Sequence, residues 1–363
     1  MKYRLLDLLK DVADGSQLKL GERLTIKEAP VSVSLTAVPC STYCGLRNCP
    51  VQQANVTPVD CAKCYSKEII EGELVSESGH RVPIRGGIPR FLSNDMAGWL
   101  RKNQETFSLE WKMFRFGERN WGQDIEYRKN LFLKGLGAEP KDLAGRLIFD
   151  AGCGSGLLSM ALARSFGMEV VALDLAFGIE QAYVANTSPF VHFIQGSVLE
   201  PPVKDKSVDY AYCGGVLVAL PDAKAGFKAL KPPLKPGGRF FVWMYHPIDD
   251  RHHPRDKAKM RLYNFIRENI TSPLPIQIQY ILYMLALPVF IFKRTITNLF
   301  GKEKNTITWR EKMQNLTDMF SPLYQHRFSE EEIVEWYREL GFSNAQISYT
   351  EEYGFGARGD VPA

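Results

Sequence analysis

The stretch LIFDAGCGSGLLSMALA, Leu147 to Ala163, sets a β-prone run directly ahead of a glycine loop and a helix-forming run directly behind it. Gly152, Gly154 and Gly156 permit positive φ and close backbone approach, so main-chain N–H groups at the helix start can meet a polar or anionic ligand. The spacing is G-x-G-x-G, not the G-x-G-x-x-G with which dinucleotide enzymes seat a pyrophosphate, which directs the loop away from NAD. A second apolar run, VVALDL, carries Asp174 at its end, where a carboxylate can accept hydrogen bonds from two vicinal ribose hydroxyls.

Outward from this loop, between Arg146 and Tyr245, apolar strand-like runs alternate with helix-compatible sequence: LIFDAG, MEVVALDL, VHFIQG, SVDYAYCGGV and GRFFVWMY. Such alternation predicts parallel strands joined by crossover helices, an α/β fold. Downstream, FSEEEIVEWYRELGF predicts a helix capped by Ser329, with Glu332 at the capping-box position and Gly341 at its stop.

Taken in order, DAGCGSG, ALD, SVDYAYCGGVLVALPD and LKPGGRFFVWMY resemble the class I S-adenosylmethionine (SAM)-dependent methyltransferases, in particular the ubiquinone/menaquinone-methyltransferase-like superfamily. The resemblance covers Leu147 to Tyr245. It implies a Rossmann-like, mainly parallel seven-stranded sheet with helices on both faces. It also implies that Asp150, Gly152 and Gly154, with Gly156 in the same loop, hold the methionine end of SAM, and that Asp174 binds the ribose. An acidic residue normally meets the adenine after the third strand; here QGSVLEPP offers Ser197, with the Val198 N–H beside it, or Glu200. Cys213 to Val216 would line the methyl-bearing side. Val218 and Ala219 stand where the family has a histidine pair, which leaves no obvious base there.

With 363 residues, 45% of them apolar and 24% charged, the chain reads as a soluble globular protein of two folded units plus an insertion. A net charge of +4 is too mild to argue for nucleic acid. The start, MKYRLLDLLKDVADG, lacks signal-peptide features, which predicts a cytoplasmic protein. Five divisions follow: a cysteine-containing module over 1–92, a helical bridge over 93–145 bearing Trp99, Phe107, Trp111, Phe114, Phe116 and Trp121, a SAM-binding core over 146–246, a helical lid insertion over 247–319, and a C-terminal completion of the core over 320–363. The bridge aromatics serve core packing or, less commonly, line a ligand site.

Seven cysteines are unevenly spread, five of them at positions 40 to 64. In a reducing compartment such crowding suggests a metal before disulfides. Cys61 and Cys64 have the two-residue spacing of half a zinc site. The segment EGELVSESGHRVPIRGGIPRFL resembles the second half of the zinc ribbons found ahead of some methyltransferases, with Ser76 in place of a cysteine and His80 retained. Asp11 and Asp14 stand where such a ribbon has its first cysteine pair. A zinc site from Cys61, Cys64, His80 and one or two of Cys40, Cys44 and Cys49 is one expectation; cysteines buried as small hydrophobes are the other.

Candidate bases and orienting groups lie where the fold opens: Tyr245 and His246, and Tyr324 and His326 in SPLYQHRF. The insertion combines an apolar run, Tyr280 to Phe292, with basic residues Arg251, Arg255, Lys257, Lys259, Arg261, Lys293 and Arg294. The run is short for a membrane span and interrupted by Pro288. It predicts either a buried helix or one that covers the substrate or touches lipid over 276–294. The expected activity is methyl transfer to an apolar or amphiphilic small molecule. An rRNA or tRNA base methyltransferase, and a non-catalytic module retaining the fold, are the rival readings.

Overall fold

The computed structural model describes residues 1–28, 33–92, 96–114, 116, 119, 122–249, 254–300 and 307–363, without the side chains of 254, 297, 299 and 300. Trp121 and Arg251 lie outside the described residues.

The N-terminal region builds a five-stranded antiparallel sheet around β1 (Lys67–Val75) and β2 (Arg81–Arg85), completed by Lys19–Leu20, Thr25–Glu28 and Ile88–Pro89. Strand β1 is preceded directly in the chain by α1 (Pro58–Ser66), where Thr57 and Asp60 form a reciprocal capping box. Helix α1 turns Cys61 and Cys64 inward, so both cysteines are buried. This small sheet shares its apolar core with the rest of the chain: Leu5, Leu9, Tyr65 and Ile69 belong to the same buried cluster as Phe149, Leu173 and Val203. A short module that cannot bury enough apolar surface alone gains it by docking. Two long helices follow, α2 (Gly98–Met113) and α3 (Ile125–Leu136).

The central sheet contains β3 (Leu147–Ala151), β4 (Glu169–Asp174), β5 (Val191–Gln195), β6 (Val208–Gly214), β7 (Leu234–Tyr245), β8 (Ser343–Thr350) and β9 (Gly354–Asp360). Their spatial order is β5-β4-β3-β6-β7-β9-β8. The first five are mutually parallel, and β9 runs antiparallel to both neighbours. β3 and β5 are buried along their whole length and β4 almost so, as covering on both faces requires. Helices α4 (Leu157–Phe166), α5 (Gly178–Ala185) and α6 (Ala223–Ala229) occupy the crossovers. The order reverses between β3 and β6, and ligands of open α/β sheets bind at the carboxyl ends beside that switch.

After β7 the insertion forms α7 (Pro254–Ile266), a π-helical turn over Arg267–Thr271, α8 (Ile276–Phe300) and α9 (Trp309–Phe320). The chain then returns through α10 (Glu330–Glu339), capped by Ser329 as its sequence predicts: the Ser329 hydroxyl accepts from the Glu332 N–H. Helix α8 corrects the reading of the apolar run. It continues through Pro288 for 25 residues, and Ile276–Ile296 is long and apolar enough to cross a membrane by length and composition. Proline removes one helical N–H, and because Met284 and Pro288 both face solvent, the orphaned carbonyl can be hydrated. Nor is the helix buried: Tyr283 and Leu287 pack on Met313 and Leu316 of α9, while Leu285, Val289 and Phe292 are 70%, 69% and 68% exposed.

Candidate active site

The glycine loop and the end of β4 are locked together by main-chain donors. Gly154 N–H donates to Asp174 Oδ2 at 2.7 Å and Ala176 N–H to Oδ1 at 2.7 Å. Each carboxylate oxygen retains acceptor capacity. Burial nevertheless pushes the Asp174 carboxyl up to about 6, because these backbone bonds only partly replace lost water. Gly152 has φ +92°, and a Cβ there would meet Val216 Cγ2 at 2.1 Å. No other residue fits that turn. Asp150 is buried at the end of β3, accepting from the Ser159 hydroxyl of α4, and it too is raised to about 6 by burial. Its position ties the loop to the helix behind it.

From this end opens a cavity of about 850 Å³. Gly152, Asp174, Ser197 and Val198 line it at the carboxyl ends of the parallel strands, and Gly214, Gly215 and Val216 follow at β6. Opposite the sheet, α2 contributes Asn103, Phe107, Glu110 and Trp111 from one face, and the insertion contributes Lys259, Met260 and Tyr263 of α7 and Lys312, Asp318 and Met319 of α9. Trp243 and Tyr245 of β7, with ring centroids 4.9 Å apart, form an aromatic wall. The bridge helix α2 therefore does both of the things its aromatics allowed. Phe114 is buried in a small cluster with Trp111, whereas Trp111 and Phe107 also face the cavity.

Several expected site residues are placed elsewhere. Gly154 and Gly156 do not line the cavity: ideal Cβ atoms would strike Trp111 at 2.2 Å and Ala182 at 2.8 Å, so these glycines serve close packing. Cys213 is wholly buried behind β6, because successive strand residues face opposite sides and its neighbours Tyr212 and Gly214 take the cavity side. Glu200 is exposed, and Ser197 and Val198 hold the loop position. Alternation also separates the proposed bases. Tyr245 lines the cavity, but His246 points into the core with its ring 5.0 Å from Phe355. Gln325 and Arg327 face the cavity, whereas His326 donates its Nε2–H to the Leu220 carbonyl (2.9 Å) and stacks on Tyr324, 5.8 Å between centroids. Among the described residues no histidine lines the cavity.

The sequence reading missed Glu110, Asp318 and Arg327. A signal existed for the first: Asn103, Phe107, Glu110 and Trp111 fall on one helical face, a polar intrusion into an otherwise inward stripe. Asp318 carried none, since its role depends on how α9 packs against α2.

In the N-terminal region, His80 is a correction. Its Nδ1 lies 2.6 Å from Asp11 Oδ1, in the β1–β2 turn, where Ser76 Oγ accepts from the His80 N–H. Cys44, Cys61 and Cys64 are buried, and Cys44 pairs across a two-residue ladder with Cys49. Burial pushes the Cys40 and Cys64 thiols up to about 12, so both are neutral. Among the described residues no three His, Cys, Asp or Glu side chains gather as metal ligands. Cys40 is buried as well, and Cys49 is half-buried.

Residues 149–242 match the methyltransferase domain family. The chain is 37% identical over 107 residues to a ubiquinone biosynthesis O-methyltransferase of Xanthomonas oryzae pv. oryzae, a match covering 28% of this chain and 44% of that protein. A protein of the same description from Xylella fastidiosa is 37% identical over 109 residues, covering 28% and 42%. The chain thus spans less than half the length of these relatives. Among solved structures, a SAM-dependent methyltransferase from Methanosarcina mazei is 18% identical with a TM-score of 0.39, covering 60% of this chain and 93% of that one. Through the family match and the glycine-loop geometry together, the chain carries a SAM-dependent methyltransferase domain over residues 149–242.

Proposed function

We propose that this protein transfers the methyl group of SAM to a hydroxyl of an apolar or amphiphilic small molecule, as a cytoplasmic enzyme that meets its acceptor at a lipid surface. The carrying observation is the cavity of about 850 Å³, which runs from Gly152 and Asp174 to an aromatic wall beneath the inserted helices. The residues at its sheet end fit SAM: Asp174 offers acceptors for the ribose, Ser197 and the Val198 N–H stand beside the adenine position, and Gly152 leaves the backbone bare for the methionine end. Bound there, SAM supplies an activated methyl on a sulfonium. The protein's own contribution is alignment, since an in-line displacement is governed by how the nucleophile is held. Trp243, Tyr245, Phe107 and Tyr263 supply flat apolar walls for an aromatic or prenylated acceptor. The named relatives methylate oxygen in ubiquinone biosynthesis, which supports a phenolic hydroxyl as the acceptor.

In this proposal α7 and α9 are a lid over the acceptor, and the outward face of α8 lies in the headgroup region of a membrane, with the exposed Lys293 near its end toward anionic lipid. The decisive experiment incubates the purified protein with methyl-labelled SAM and fractionated cell extract. Label in the lipid or small-molecule fraction is the expected result. Label confined to RNA overturns the acceptor class, and no binding of SAM at all overturns the enzyme reading.

A further inference from the structure

Besides Asp174, the carboxyl groups of Glu110, Asp256, Asp318, Glu351 and Glu352 line the cavity, and two of them, Glu110 and Asp318, come from the helices α2 and α9 that pack on each other. Glu110 projects from α2 and is 1% exposed, and neither of its oxygens closes a hydrogen bond, although the Gln314 amide lies near enough to favour its ionised form. Asp318 projects from α9, which packs directly on α2, and both side chains line the cavity. Asp174 and Tyr245 line the same cavity, Glu110 feels the charge of Asp174, and the Tyr245 hydroxyl feels both Glu110 and Asp318.

A buried carboxylate without fixed donors is costly, and the structure does nothing to remove this one. Beside the half-buried Asp318, desolvation and mutual repulsion both oppose a charge on each of the two groups at once. Burial, then the Asp318 charge, raise Glu110 well above the ordinary carboxyl range, while burial raises Asp318 to about 6. Glu110, 1% exposed against the half-buried Asp318, is the member that burial favours in the protonated form. The cations near this end, Arg267 and Arg327, lie by Tyr245, while Lys259 and Lys312 line the lid side with Asp256.

We infer that the Glu110–Asp318 carboxyl pair is the proton acceptor of the methyl transfer, with Asp318 as the base that contacts the acceptor hydroxyl and Glu110 as its positioning partner. The inference rests on the SAM-dependent reading above. The acceptor O–H gives its proton to an Asp318 oxygen as the oxygen forms its bond to the methyl carbon. The methyl–sulfur bond breaks, its electron pair stays on sulfur, and the neutral thioether S-adenosylhomocysteine remains beside the methyl ether. Asp318 then returns the proton to solvent. A desolvated carboxylate is a stronger base than an exposed one, which supplies what the missing histidine pair would otherwise provide.

Three measurements on the full chain test it. Calorimetry with S-adenosylhomocysteine tests the underlying reading, and Asp318→Asn and Glu110→Gln are expected to bind it within threefold of the parent. Infrared spectra of the ligand-free protein at pH 7 are expected to show a carboxylic-acid C=O band that Glu110→Gln removes. Hexylcatechol with labelled SAM, held saturating at every pH, gives the rate: Asp318→Asn should lower kcat by about 100-fold or more with little change in the acceptor KM, and should abolish the acid limb of kcat near 6. Failure of the parent protein to bind S-adenosylhomocysteine sinks the methyltransferase reading and this inference with it. With binding intact, the inference alone is overturned by an unchanged infrared band in Glu110→Gln, by a surviving acid limb in Asp318→Asn, by loss of cosubstrate affinity in either variant, or by a parent that leaves hexylcatechol unmethylated.

Discussion

In the proposed function Asp174 serves structure and ligand together. Its oxygens already fix the N–H groups of Gly154 and Ala176, so the loop is preorganised before anything binds, and the remaining lone pairs are aimed into the cavity. Hydroxyl donors bind the ionised carboxylate, and burial sets its unliganded value at about 6. Affinity for S-adenosylhomocysteine is therefore full above pH 7 and declines as the pH falls through 6, a dependence that Asp174→Asn should flatten. That variant should also bind about 10- to 100-fold more weakly, the worth of a charge-assisted hydrogen bond. Calorimetric titration across pH 5 to 8 checks both, and an affinity independent of pH in the parent would remove Asp174 from the ribose site. Gly152 gives a second residue-scale expectation: Gly152→Ala forces a Cβ into Val216 at a backbone angle alanine resists, and should cost about 1–3 kcal/mol of stability in urea unfolding.

At the scale of elements, α8 divides its two faces between two tasks. Tyr283 and Leu287 look inward to α9, while Leu285, Val289 and Phe292 look outward, an apolar stripe that a helix in water alone would not favour. Replacing those three outward residues by glutamine should reduce co-sedimentation with phosphatidylcholine–phosphatidylglycerol vesicles by about 100-fold or more, given about 1.5–3 kcal/mol for each buried apolar side chain. Because the positions are exposed, thermal stability should stay within about 0.5 kcal/mol of the parent. Vesicle binding that survives the triple change would separate α8 from any lipid contact. Pro288 was read as an interruption of this run, yet the helix passes through it, since a solvent-facing proline loses only a bond that water can replace.

Across the whole molecule, one buried ion cluster joins the N-terminal region to the central sheet. Arg4 contacts Asp7 at 2.7 Å and Glu169 at the start of β4, and Tyr65 and His192 also bond to Glu169. Burial alone would raise the Glu169 carboxyl; Arg4 and His192 overcome this and hold it at about 2. A carboxyl whose folded value is depressed contributes fully above its ordinary value of 4.5, and that contribution fades as the pH falls toward 2. Arg4→Met should cost about 3–5 kcal/mol near neutral pH, because two carboxylates are left buried without their cation. Urea unfolding at pH 7 and pH 3 measures this, and the penalty should shrink at the lower pH as the carboxyls protonate. A loss below 1 kcal/mol at pH 7 would show that the N-terminal sheet is not held by this cluster.

What the sequence by itself determined is what depends on neighbours along the chain: the strand, glycine loop and helix at Leu147 to Ala163, Asp174 at the next strand's end, the parallel alternation, and the Ser329 cap. Backbone sterics, side-chain period and capping act over a few residues, so they can be read there. Tertiary packing decided the rest. Whether His246 or Tyr245 meets the cavity depends on which face of β7 the insertion covers, and the pairing of Glu110 with Asp318 exists only because α9 returns across α2. Likewise His80 keeps its place in the β1–β2 turn, but its ring meets Asp11, a residue 69 positions away in the chain. Contacts between segments hundreds of residues apart are set by which apolar faces can bury one another, and no local pattern records that choice.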